Sequence, residues 1–302
     1  MHGLLLIDKP CGMTSHDVVS RVRRICNTRK VGHAGTLDPM ATGVLPIAVG
    51  QATKALQFLL IADKSYRATL HLGVETETLD AEGAVVDETD VPTDAAEQLI
   101  DILPDFQGEI QQTPPMFSAL KQNGVPLYKL ARQGQTVERE ARTVQIDRLQ
   151  ILSVTLPSVE IEVDCSKGTY IRTLAADLGR AIGCGAHLSS LRRLRTGPFA
   201  VEQCTPLEVL LDGTVDPTDV LLSVEETLAF YPPAVLSDRA AQRLRFGISP
   251  EAGELTCEHP LEENRLVRLM EGDLLIAMAR YVPQERSDKA GDFELVRVFH
   301  GA

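Results

Sequence analysis

Between a helical pattern that ends near Cys26 and the apolar run at residues 44–49 lies Gly32-His33-Ala34-Gly35-Thr36-Leu37-Asp38-Pro39-Met40-Ala41-Thr42-Gly43. No other stretch constrains the fold so strongly. Three glycines, one proline and two threonines surround a single carboxylate. Glycine admits positive φ and close approach of a neighbour, while Pro39 fixes its own φ and turns Asp38 away from helix. The segment is therefore a stiff turn that presents Asp38. An Asp-Pro pair seen alone reads as an Asx-type turn. A loop this long leading into a buried strand, with His33 as a second polar group, is of the kind that carries function.

Around this turn the chain reads as mixed strands and helices. Residues 3–7 form a short buried strand ending in the turn Asp8-Lys9-Pro10. Thr14 or Ser15 caps a helix whose Val18, Val19, Val22, Ile25 and Cys26 fall at helical spacing, with Arg21, Arg23, Arg24, Arg29 and Lys30 on or just after it. Residues 44–49 are a buried strand and 52–60 a helix with Lys54 in its first turn. Residues 65–72 alternate, which puts Tyr66, Ala68, Leu70 and Leu72 on the core side, where a tyrosine ordinarily packs. Residues 94–103 read as a helix opened by an Asp94/Glu97 capping box.

Residues 111–142 lack sustained periodicity and hold several cations, which predicts a mobile insertion. Strands at 143–154 and 159–165 precede a strand-to-helix turn with Ile171, Leu174, Ala175, Leu178 and Ile182 apolar. Arg172 lies beside that stripe and, by pattern alone, is a surface arginine. Residues 205–211 suggest a short helix. After Pro232-Pro233 the composition changes, with short strands at 266–269 and 274–279 and a polar hairpin tip at 284–292. We expect one domain over 1–230 and a second over 231–302.

A chain of 302 residues, 44% hydrophobic, is long enough to bury a core in one large domain and a small one. The apolar run at 4–7 is too short for a signal peptide and no stretch approaches a membrane span, so the expected location is the cytoplasm, with no membrane partner. The six cysteines include no Cys-x-x-Cys pair, and Cys184-Gly-Ala-His187 is a lone half-site, so neither a disulfide framework nor a metal site is expected. The net charge of −12 is unevenly spread: residues 1–70 and 121–200 each carry +5, whereas 71–110 carry −12 and 201–302 carry −10. The basic blocks coincide with the candidate chemistry and suit a polyanionic substrate.

The stretch 33–43 resembles the catalytic loop of the TruB family, bacterial tRNA pseudouridine synthases that modify the T-loop uridine at tRNA position 55. Further stretches resemble that family in the same order along nearly the whole chain. These are the Lys9-Pro10 opening, Lys64-x-Tyr66-Arg67, the insertion at 111–142 as the thumb loop, Gly168-x-Tyr170-Ile171-Arg172, Leu191-Arg192-Arg193, and a small C-terminal domain. The resemblance implies an α+β pseudouridine synthase fold with a mixed, largely antiparallel sheet flanked by helices, plus a small PUA-like β-barrel. It implies Asp38 as the catalytic carboxylate, Arg172 as its ion-pair partner and Tyr66 stacked on the target base.

His33 would stabilise a flipped-out nucleotide or cap the loop backbone. Leu191 and Tyr170 would line the base pocket, and Lys9, Lys54, Lys64, Lys121 and Lys129 would hold phosphates. The expected substrate is tRNA, bound by its T-arm and acceptor end, and the expected actor is a monomer needing no cofactor, metal, guide RNA or protein partner. Three rivals remain at this stage: a guided dyskerin-like enzyme, an RNA-folding chaperone that works by binding, and an Asp-dependent hydrolase.

Overall fold

A computed structural model of the chain describes residues 1–283 and 291–299. The order begins β1 (Gly3–Lys9), α1 (Ser15–Ile25), β2 (Val31–His33), β3 (Thr42–Val49), α2 (Leu56–Leu60) and β4 (Lys64–Leu72). It continues with the ribbon β5 (Val74–Thr76) and β6 (Val85–Glu88), then α3 (Ala95–Ile102) and β7 (Gly108–Gln112). The insertion holds only the short pieces β8 (Lys121–Gln122), β9 (Val125–Pro126) and α4 (Leu127–Ala131). Next come the long hairpin β10 (Arg142–Thr155) and β11 (Ser158–Cys165), α5 (Ile171–Ala181) and β12 (Ala186–Thr196).

One sheet organises this part, with strand order β7-β10-β11-β4-β12-β3-β1. Neighbours are antiparallel except β12 and β3, which run parallel through the register Arg192 to Thr42 and Arg193 to Gly43. The sheet is thus mixed and largely antiparallel, as expected. That parallel join brings the end of β12 against the start of β3, immediately after the Asp38 turn.

Period-two alternation explains why β1 reads as continuously apolar: Leu5 and Ile7 pack into the large core, while Leu4 and Leu6 pack into a second cluster on the other face. The large core joins Val18 and Val22 of α1, Leu174 and Leu178 of α5, Leu99 of α3 and the inward residues of β4, β11 and β12. Thr14 is the cap of α1 and forms a full capping box with Asp17. Ser15 turns inward instead.

Several local expectations are corrected. Asp94 precedes α3 but makes no capping box, because its ψ of 16° is not the extended conformation such a box needs, and its carboxylate accepts from Gln98 instead. The helix expected over 52–60 splits into a 3-10 turn, Gly50–Ala55, followed by α2. Thr205 does not begin a helix. After β13 (Phe199–Ala200), Thr205–Pro206 pairs with β1 as β14, and α6 (Leu207–Leu211) follows.

Beyond β15 (Leu221–Leu222) and α7 (Val224–Thr227) lies a separate five-stranded sheet: β16 (Pro233–Leu236), β17 (Leu255–Thr256), β18 (Leu266–Glu271), β19 (Leu274–Tyr281) and β20 (Phe293–Val298). Its own core includes Ala240, Ala241 and Leu244 of α8 (Asp238–Arg245), a helix not anticipated, although Ser237 caps it and Gly247 follows it. The hairpin tip expected at 284–292 falls mostly at 284–290, outside the described residues. An apolar seam of Ala55, Phe58, Leu228, Met270, Leu275, Met278 and Phe299 joins this sheet to the larger one. Cys184 and His187 do not share a site: the thiol donates to the Gly185 carbonyl and the His187 ring meets the Val74 carbonyl. Among the described residues no helix is long and apolar enough to cross a membrane.

Candidate active site

The turn that carries Asp38 is held from inside by side chains of three other segments. Lys9, wholly buried at the end of β1, donates its ammonium to the carbonyls of Pro10 (2.8 Å), Pro39 (3.1 Å) and Ala41 (2.6 Å). Ser15 of α1 donates to the Leu37 carbonyl and accepts from the Leu37 amide, at 3.1 and 2.8 Å. Arg193 of β12, 1% exposed, donates to the carbonyls of Val44 (2.7 Å), Gly35 (3.1 Å) and Thr36 (3.5 Å). Buried backbone carbonyls need such partners, and here side chains supply what a strand would otherwise provide. Gly43 is required where β3 meets β12: its φ is +101° and a Cβ would lie 2.1 Å from the Arg193 carbonyl oxygen.

Asp38 projects from this turn onto Arg172. The guanidinium meets both carboxylate oxygens, Nε to Oδ2 at 3.0 Å and Nη2 to Oδ1 at 3.3 Å. Arg172, 4% exposed, is no surface residue. Its Nη1 donates to the Thr78 carbonyl at 3.0 Å and approaches Asp80 Oδ2 at 3.6 Å, and its Nη2 also donates to the Phe117 carbonyl at 2.7 Å. The fork therefore ties the Asp38 turn, the 76–83 turn and the insertion to the first turn of α5. Behind it, buried Gln112 clamps the residue just before α5, accepting from the Tyr170 amide at 2.7 Å and donating to the Tyr170 carbonyl at 3.0 Å.

Burial pushes the Asp38 carboxyl above its ordinary range, Arg172 pulls it down, and the Asp80 charge adds to the rise. The net direction is upward, so the ion pair moderates the cost of burying Asp38 without cancelling it.

Asp38 and Arg172 line a cavity of about 360 Å³ with Tyr66, Lys64, Tyr170, Leu191 and Arg193. Such a volume suits one small ligand group. Two larger cavities, about 610 and 700 Å³, lie behind the insertion and against the C-terminal sheet, and Asp38 lines neither. Tyr66 is 9% exposed and stands in register with Arg193 across β4 and β12, and both side chains line the cavity.

The lysines expected at phosphates divide. Lys9 is spent on three loop carbonyls, and its burial draws its pKa down to about 8. Lys64 is likewise buried, donates to the carbonyls of Leu60 and Ala62, and is drawn down to about 8. Both ammonium groups are turned onto backbone carbonyls, and Lys64 also lines the Asp38 cavity, so a phosphate contact by either would have to compete with those bonds. Lys54 reaches the Val298 carbonyl of the C-terminal sheet at 3.4 Å. Lys121 and Lys129 stand exposed on the insertion. His33 is half-buried at the end of β2, outside the cavity lining, and burial with the nearby Arg193 charge lowers its pKa.

Sequence reasoning assigned no site role to Asp80, Gln112, Ser15 or Arg193, although it named Ser15 as a possible cap and Arg193 within the Leu191-Arg192-Arg193 stretch. For Arg193 a signal existed: alternation along β12 places it on the same side as Leu191, facing the core. Asp80 sits in a Thr/Asp/Gly turn that resembles ordinary loop chemistry.

Two family profiles match the chain. One, described as TruB family pseudouridylate synthase (N terminal domain), covers residues 23–171, and one described as tRNA pseudouridylate synthase B C-terminal domain covers 172–229. The tRNA pseudouridine synthase B of Syntrophotalea carbinolica is 48% identical over 301 residues, covering 99% of this chain and 98% of that protein. That of Geobacter sulfurreducens is 44% identical over 304 residues, covering 99% and 100%. Among solved structures, a Cbf5-Nop10-Gar1 complex aligns with a TM-score of 0.77 at 30% identity, over 99% of this chain and 85% of that one. An H/ACA RNP bound to a substrate RNA containing 2′-deoxyuridine aligns with a TM-score of 0.75 at 28% identity, over 99% and 85%.

Proposed function

This chain belongs to the TruB family of pseudouridylate synthases, and from that premise we propose that it isomerises the T-loop uridine at position 55 of tRNA to pseudouridine. The observation that carries the reading is the Asp38 carboxylate gripped on both oxygens by the buried Arg172 at the wall of a cavity that Tyr66 also lines.

The reaction breaks the bond from ribose C1′ to uracil N1 and makes one from C1′ to C5. The hydrogen on C5 leaves as a proton and N1 gains one, so no atoms are added or lost overall. It calls for a carboxylate at the nucleoside, which acts as nucleophile or as stabiliser of charge developing on the sugar. Asp38 takes that role, and Arg172 orients it and favours its charged form. Tyr66 stacks on the base. A uridine within a folded loop cannot reach the cavity, so the nucleotide is flipped out, with His33 near the rim of the vacated space. Lys121 and Lys129 suit phosphate contacts, which position without reading sequence.

Residues 1–230 then act as the catalytic domain, with 111–142 as a thumb over the RNA, and 231–302 as a PUA-like unit that meets the acceptor end. We further infer a monomer working in the cytoplasm without guide RNA or protein partners. The insertion at 111–142 supports this, since guided enzymes of the related type lack a full thumb. The test is to incubate unmodified tRNA with the purified protein alone and map pseudouridine by position. Product at position 55 is expected, and its absence overturns the reading.

A further inference from the structure

Lys9 and Arg172 are the obvious buried cations around Asp38, but Arg193 is the larger anomaly. It heads the fully buried side chains by size. Its partners in hydrogen bonds are the carbonyls of Val44, Gly35 and Thr36, and among the described residues no carboxylate forms an ion pair with it. Arg172, by contrast, has Asp38 and Asp80. A positive charge therefore sits in the wall of the Asp38 cavity with backbone carbonyls as its hydrogen-bond partners and, among the described residues, no carboxylate at ion-pair distance.

Burying an unpaired charge is costly, and Ser15 demonstrates that this loop can be pinned by a neutral donor. The charge itself therefore calls for a use. Neighbouring groups register it: Arg193 opposes protonation of Lys9, Lys64 and His33, and favours the ionised form of the Tyr66 phenol against its burial.

The reaction proposed above has one stage that a fixed cation serves. When the C1′–N1 bond breaks, its electron pair stays on N1, and the free uracil is an anion with charge shared onto its carbonyl oxygens. That charge is discharged when C5 bonds to C1′, and the exchange that follows, a proton lost from C5 and one gained at N1, is neutral overall. A preorganised positive group at the cavity wall stabilises such a stage without reorganising.

We propose that Arg193 is a positioning residue for the isomerisation: one guanidinium without a carboxylate partner pins the Asp38 loop, stands beside Tyr66 across the strand pair, and keeps the cavity wall cationic while the detached uracil is anionic. This rests on the isomerase reading. The test is single-turnover formation of pseudouridine in unmodified tRNA by the wild-type protein, Arg193→Gln, Arg193→Lys, Tyr66→Phe and the double variant Arg193→Lys/Tyr66→Phe, with tRNA dissociation constants measured alongside. Arg193→Gln should lower the rate about a hundredfold, the scale of one preorganised electrostatic donor, while tRNA affinity stays within about twofold. Arg193→Lys, which keeps a charge, should recover at least about tenfold of that loss. The double variant should lose less than the product of its two single losses, because the pair acts as a unit.

Equal rates for the Gln and Lys variants, parallel falls in rate and affinity, or strictly multiplicative losses in the double variant would each overturn the proposal. Should Arg193→Gln fail to fold, the Lys and Phe comparison decides alone, less-than-multiplicative losses supporting and multiplicative losses overturning. A wild-type protein that makes no pseudouridine defeats the isomerase reading and this inference together. One that turns over while the variants behave multiplicatively defeats this inference only.

Discussion

Two irregular segments border the same cavity, and they are held in opposite ways. The turn at 32–43 takes hydrogen bonds from Lys9, Ser15 and Arg193 on three surrounding elements, and buries Leu37 and Ala41 in the cores. The insertion is tied largely to itself: Leu127 to the Leu120 carbonyl at 2.7 Å, Tyr128 to the Ser118 carbonyl at 3.1 Å, and Arg139 to the Pro114 carbonyl at 3.1 Å. It meets the body at its root, where Gln112 clamps Tyr170, and at the Phe117 carbonyl, on Arg172. Positions that do chemistry need a tolerance of a fraction of an ångström, which buried donors supply. A segment with the thumb role proposed for the insertion is better built from few outside contacts.

If that division is right, changes on the pinned side should cost turnover or stability, and changes on the insertion should cost mainly substrate affinity. The largest effect is predicted for Asp38→Asn, which should leave no product above background in a tritium-release assay while tRNA binding persists; measurable turnover would remove Asp38 from the chemistry. Arg172→Lys comes next. One ammonium cannot replace a fork that serves two carboxylate oxygens and the carbonyls of Thr78 and Phe117, so the rate should fall by about a hundredfold or more with binding nearly unchanged. Equal losses of rate and affinity would count against an orienting role.

Lys9→Met should lower unfolding free energy by about 2–3 kcal/mol, read from urea denaturation, because three carbonyls lose their shared donor. An unchanged midpoint would mean that the turn is not pinned from below. The pH profile probes the same side. Asp38 must be anionic to act and its pKa is raised, so as pH falls activity should be lost above the ordinary carboxylate range. Asp80 contributes to that rise, so Asp80→Asn should move the acid limb to lower pH; a shift upward would contradict the assignment. The smallest effect is expected for Arg139→Ala, which frees Pro114 within the insertion: stability should change by less than about 0.5 kcal/mol, with KM for tRNA rising a few-fold at constant kcat.

What could be read in the sequence followed from local rules. The turn around Asp38 was legible because glycine and proline limit φ directly, and the strands at 3–7, 44–49 and 65–72 were legible because both or alternate faces are apolar. The partnership of Asp38 with Arg172 was not, since 134 positions separate them and only the family resemblance joined them. The parallel join of β3 to β12, which creates the site, is equally non-local. Buried cations misled most: Lys9, Lys64 and Arg193 look like surface residues by type, and their burial is set by backbone carbonyls that no sequence pattern displays. Asp94 failed for a different reason, because a capping box needs an extended residue and the chain arrives there already turned.

The apolar seam between the two sheets has a consequence for the geometry of the whole molecule. Phe58 packs edge-on against Tyr231, ring centres 6.0 Å apart, and Lys54 reaches the Val298 carbonyl across the same join. The C-terminal unit is therefore soldered to the strip of chain that leaves β3, directly downstream of Asp38. The separation of the Asp38 carboxylate from the outer sheet is thus set by packed side chains and not by a free linker.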